Sequence, residues 1–233
     1  MSANPEVLRT SEMIGPATEV AVSDPVEIAR DGGNWTREEF AREQIRSLVR
    51  RIFLQGDLFP VRQVVFSAAG SNVDVSGICD QVGQALALET SADIAVVIRQ
   101  PVEKDVVRFP GPGSGIKSSA TRMGANLWFV TESGPCEQGP QPGIGRYWIS
   151  RLAALRNEFE YLVIHGPVAG ISSETALLGE LTDGIVLVLG AHTTRKASVR
   201  KVKESLQSGR SRILGTVLSG RLFPIPERLY RRL

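Results

Sequence analysis

The sequence predicts an α/β domain built on a doubly wound, mostly parallel sheet in three αβα layers, and three observations carry that expectation. Strand-like and helix-like periodicities alternate from about residue 62 onward. Several strand candidates are continuous apolar runs, such as Gly184-Ile-Val-Leu-Val-Leu189, as a sheet covered on both faces requires. Residues 61–88 also join a buried-strand run to an amphipathic helix through a turn of small residues. In such sheets ligands sit at the carboxyl ends of the strands.

Taken in order, residues 1–34 are polar, carry Pro, Gly and Asp, and show no sustained period. They read as a flexible tail holding a short recognition segment around Val20–Val26. The domain proper is expected over 35–233. Its first helix starts with Thr36 as N-cap and Glu38 and Glu39 in the first turn, and runs to about Leu54. Its apolar stripe is Phe40, Ile45, Leu48, Val49 and Ile52, and Gly56 ends it. Strands are expected at 62–68, 93–99, 126–131, 160–165, 184–190 and 212–218. Helices are expected at 75–89, 145–158, 172–180 and 194–207, with a short one from Pro226. The Pro-, Gly- and Ser-rich stretches 100–125 and 132–145 read as loops.

Composition narrows the functional classes. With 233 residues the chain can bury a sizeable core, and no apolar run approaches the roughly 18 residues a membrane span needs. A net charge of +2 gives no whole-molecule steering toward nucleic acid. The two cysteines, Cys79 and Cys136, form neither a disulfide framework nor a metal pattern, which points to a reducing cytoplasm. Basic residues gather in Arg42–Arg51, Arg195–Lys203 and Arg228–Arg232. They read as solvated helix faces, or alternatively as contacts for anionic lipid or an acidic partner.

The stretch VRQVVFSAAGSNVDVSGICDQVGQALAL has the layout of a phosphate-binding P-loop. A working loop reads G-x-x-x-x-G-K-[ST]: glycines let N–H groups curl around phosphates, the lysine neutralises charge and the hydroxyl holds magnesium. With Ser76 as the hydroxyl, the lysine position falls on Val75 and the glycine before it on Asp74; counting forward from Ser67 puts the lysine on Asp74. Gly70 remains from the turn. A carboxylate at a helix N-terminus caps it well but occupies the place of a triphosphate. The loop is expected to be degenerate.

Four stretches give the chain a resemblance to the cytoplasmic bacterial tyrosine kinases (BY-kinases) of polysaccharide biosynthesis, relatives of the deviant P-loop ATPases MinD and ParA. They are the helix motif at Glu43, Arg46 and Leu48, the loop VVFSAAGSNVDVSG, the run FEYLVIHGPVAGISSETALLGELTDGIVLVLGAHTTRKASV, and the ending LGTVLSGRLFPIPERLYRRL. The resemblance implies a P-loop NTPase-like fold of the MinD/ParA/BY-kinase type. It also implies which positions carried phosphoryl transfer. Where the family has its two magnesium-associated aspartates, this chain has Arg99 and His165, and where it has an adenine-reading asparagine, Ser219. The family's helix pattern associated with ring assembly finds Val49 at its last position, with Arg50 one residue out. Instead of a terminal tyrosine cluster the chain has Tyr147, Tyr161 and Tyr230.

The expected function is therefore a non-catalytic, kinase-like protein without a cofactor. It would support exopolysaccharide or capsule synthesis by docking on an inner-membrane co-polymerase or export protein, alongside an active homologous kinase or further copies of itself. The alternatives are an autokinase or ATPase binding ATP and magnesium in an atypical pocket, or a MinD/ParA-like positioning protein. Within the site Arg99 is expected to pair with Asp74, or else to attract an anion, and His165 to be a satisfied histidine at a strand end. Ser172, Ser173 and Glu174 read as an N-cap with an acidic first turn, and Thr193 or Thr194 as another cap. The weak GPGSGIK match at 111–117 leaves Lys117 as a substitute phosphate ligand.

Overall fold

A computed structural model of the chain describes residues 37–56, 60–99, 115–132 and 143–220. The tail 1–34, Thr36, the 100–114 segment, Cys136, the short helix from Pro226 and Tyr230 lie outside the described residues. The chain runs α1 (Arg37–Ile52), β1 (Gln63–Ala68), α2 (Val75–Glu89), β2 (Ile94–Arg99), α3 (Ile116–Ser119), β3 (Thr121–Arg122), β4 (Leu127–Glu132) and α4 (Ile144–Glu158). It continues with β5 (Tyr161–His165), α5 (Glu174–Leu181), β6 (Gly184–Gly190), α6 (Lys196–Ser208) and β7 (Ile213–Ser219).

The strands form one sheet in the order β3-β4-β2-β5-β1-β6-β7, parallel throughout except for β3 against β4. The alternation of apolar strands and helices thus gives the expected doubly wound sheet. Period two in the strands divides the core into two layers. Val64, Phe66, Val96, Val163, Val186 and Val188 face α1 and α2. Val65, Ala95, Val97, Leu162, Ile164 and Leu187 face the side covered by α4, α5 and α6. Both rows are almost wholly buried, and each large aliphatic side chain so placed contributes about 1.5–3 kcal/mol. Cys79 is part of the first layer, and burial pushes its thiol well above the usual range. Among the described residues no helix is long and apolar enough to cross a membrane.

The stretch read as a loop over 100–125 contains two small elements, α3 and β3. Both are too short to show a period. What holds α3 is distant in sequence: the Glu158 carboxylate accepts from the backbone N–H groups of Ile116 (2.6 Å) and Lys117 (2.8 Å). Lys117 itself ion-pairs with Asp93 and lies over the Trp128 and Phe159 rings, 4.9 and 5.3 Å from their centroids. Asp93 precedes β2, so Lys117 is committed at the strand-start end of the sheet, opposite the phosphate-loop position that the weak motif match left open to it.

Candidate functional site at the carboxyl ends of the strands

The turn after β1 ends at Asp74, which caps α2 by accepting a hydrogen bond from the Gly77 N–H at 2.8 Å. Asn72 adopts a left-handed conformation (φ 68°), which asparagine tolerates. A Cβ at Gly77 would meet Asp74 Oδ2 at 2.3 Å, so any larger residue there would displace the capping carboxylate. Val75 points into the core at 4% exposure, while Ser76 is half-buried. The position matched to the phosphate lysine therefore carries a core side chain on one alignment and a helix cap on the other. Gly70 has open space around it.

Arg99, at the end of β2, does not pair with Asp74. Its Nη1 donates to Glu174 Oε2 at 2.7 Å, and both side chains are only about a tenth exposed (12% and 10%). Glu174, the first residue of α5, also accepts from Trp148 Nε1 at 2.5 Å. Its role as an acidic first turn holds, but Ser173 at the cap position makes no side-chain cap bond; Ser172 Oγ instead accepts from the Glu174 N–H at 3.2 Å. A second acid lies beside this pair, because Glu132 is the register partner of Arg99 across β2 and β4. Glu132 is buried and accepts from Tyr147 Oη (2.6 Å) and Arg151 Nε (2.5 Å). Burial, then the bond to Glu132, pushes the Tyr147 hydroxyl well above its ordinary range.

His165 ends β5 beside Phe66 of β1. It is not a satisfied histidine, because its Nδ1 is buried and has no hydrogen-bond partner among the described residues. Burial first, and then the Arg99 charge, lower its pKa against an opposing pull from Asp74. The imidazole is therefore held neutral. Ser219 closes β7, two strands from β1, where its carbonyl accepts from the Ala191 N–H at 2.9 Å. Neither threonine caps α6: its cap position is Arg195, and Thr194 Oγ1 accepts from the Gly190 N–H at 2.8 Å.

The structure thus brings Asp74, Arg99 and His165 to neighbouring strand ends and leaves Ser219 apart. It adds five residues that motif matching did not single out as ligands or partners: Glu132, Tyr147, Trp148, Arg151 and Glu174. Their signal was the spacing of Tyr147 and Arg151, four apart on one helix face, and an acid ending an apolar strand at Glu132. On α1, the exposed Arg50 reaches across the surface to α2, where its Nη2 meets Glu89 Oε1 at 2.8 Å. Glu43 and Arg46 pair with each other at 3.7 Å and stay partly exposed.

No family model matches the chain. The structure is similar to MinD of Aquifex aeolicus, with a TM-score of 0.52 and 14% identity over 73% of this chain and 72% of that one. It is also similar to the kinase domain of the Escherichia coli tyrosine kinase ETK, with a TM-score of 0.63 and 12% identity over 80% and 78%. These likenesses show that the chain shares the α/β fold of MinD and of the ETK kinase domain. In sequence, the chain is 32% identical over 73 residues to the tyrosine-protein kinase CpsD of Streptococcus agalactiae. That match spans 31% of this chain and about a third (32%) of the relative. Sequence and fold together relate the chain to the bacterial tyrosine kinases.

Proposed function

We propose that this chain is a non-catalytic relative of the bacterial tyrosine kinases. It would act as a docking subunit in exopolysaccharide or capsule synthesis, on the cytoplasmic face of an inner-membrane export protein. The observation that carries this reading is the Arg99–Glu174 pair. Phosphoryl transfer depends on metal and cationic neutralisation of developing charge. Where magnesium would need carboxylate help, the chain offers a guanidinium, and that guanidinium is already neutralised by its own glutamate. Asp74 holds the helix N-terminus that would otherwise favour a phosphate. A magnesium nucleotide does not fit these residues. A pocket closed in this way leaves the outer surfaces for binding, among them the exposed Glu43–Arg46 turn of α1.

Isothermal titration of ATP and ADP, each with magnesium, into the purified protein tests the reading. The expected result is no heat of binding at high micromolar nucleotide. Magnesium-dependent binding would overturn it and make autophosphorylation the next assay.

A further inference from the structure

Among the described residues the sheet leaves a long edge unpaired at β7. β7 is a seven-residue strand with no charge or proline in it, and among the described residues it pairs with β6 alone. Edges of this kind are normally blunted or covered. Ser219 gives its carbonyl to the Ala191 N–H of the β6 side, so by the two-residue period Thr216 and Leu218 turn their N–H and C=O groups to the free edge. Beside that edge runs a groove of about 550 Å³ between β7 and α6. Leu189, Val199 and Leu218 give it an apolar floor, and Lys196, Arg200 and Lys203 line it with positive charge. These three side chains belong to exposed residues. Glu204 also lines the groove, yet none of the three cations forms an ion pair among the described residues.

We propose that residues 19–28 of this same chain, Glu-Val-Ala-Val-Ser-Asp-Pro-Val-Glu-Ile, add as an extra strand along β7 and set their acids against the α6 cations. The charges complement: residues 1–36 hold six carboxylates against two arginines, and three of those carboxylates, Glu19, Asp24 and Glu27, fall in the segment. Val20 and Val22 share one face of an extended chain, suited to the apolar floor, and Pro25 is tolerated on an edge strand. The segment after β7 is the poorer occupant, because Arg221, Arg228, Arg231 and Arg232 against a single Glu227 repeat the charge of the groove. The Arg50–Glu89 pair joins the C-terminal ends of α1 and α2, so α1 starts toward the end of the sheet where α2 begins, which is also where the groove opens. The eight residues 29–36 can extend about 26–29 Å from there.

Amide hydrogen exchange followed by NMR on the full chain tests this, independently of whether the nucleotide site is closed. The amides of Thr216 and Leu218 are expected to exchange at least about tenfold slower in the wild type than in Lys196→Glu/Arg200→Glu/Lys203→Glu. Glu19→Lys/Asp24→Lys/Glu27→Lys should lose the same protection, and combining both sets should restore it. Added salt should weaken protection in the unsubstituted protein, which keeps the test valid if a reversal disturbs folding. Equal exchange in all forms, or in all salt concentrations, overturns the proposal. Protection that rises with protein concentration assigns the edge to a second copy and also overturns it. So does unchanged exchange in a groove reversal that stops sedimenting with phosphatidylserine vesicles, which would make the groove a lipid surface.

Discussion

His165 gives the fold a pH dependence whose sign follows from its surroundings. In the unfolded chain the imidazole has its ordinary pKa of 6.5, while in the folded protein burial and the neighbouring Arg99 hold it lower. Between the two values the unfolded state binds more protons, so stability rises with pH. The contribution is complete above 6.5 and is lost as pH falls through the folded value. Urea midpoints measured between about pH 5 and pH 7 should therefore fall more steeply for the wild type than for His165→Gln. Parallel curves would show that His165 is solvated equally in both states. The sequence placed His165 correctly at a strand end but not its partners, because hydrogen-bond satisfaction depends on what three other elements bring there. For Arg99 the information was present. Val97 faces the α4–α6 layer, so Arg99, two residues on, faces it too, toward Glu174 and away from Asp74 on the α2 side.

That pair acts between elements as much as between side chains, because it ties the end of β2 to the first turn of α5, with Trp148 of α4 on the same carboxylate. Removing one partner leaves a charge nearly stripped of water. Arg99→Ala is expected to lower stability by about 3–5 kcal/mol, whereas Arg99→Met/Glu174→Leu, which removes both charges, should lose much less. Urea denaturation of the two variants decides it: similar losses would mean that shape rather than charge holds the junction. The large elements themselves were legible. The helix expected over 75–89 is found at those residues, and the strand expected over 184–190 likewise, since long apolar periods leave little freedom. α3 and β3 were not legible, because one is a single turn held by a carboxylate 42 residues away and the other a two-residue bridge.

At the scale of the molecule, the two core layers share the same strands. Val64 and Val65 of β1, or Val96 and Val97 of β2, are adjacent residues facing opposite layers. Neither layer can lose its packing without exposing the back of the other, so the described domain should unfold in one transition even though it exceeds the size at which two-state behaviour is usual. Leu86→Ala on the α2 side and Leu152→Ala on the α4 side each empty a fully buried site. Each is expected to lower stability by about 2–5 kcal/mol, and the losses should add, since the sheet separates the two sites. Far-UV and near-UV circular dichroism should report the same midpoint in both variants. If Leu152→Ala instead splits the curve, the α4–α6 layer is a separately melting unit. The closed polar cluster of Arg99, Glu132, Arg151 and Glu174, which joins β2 and β4 to that layer, would then hold two units together and not merely fill a pocket.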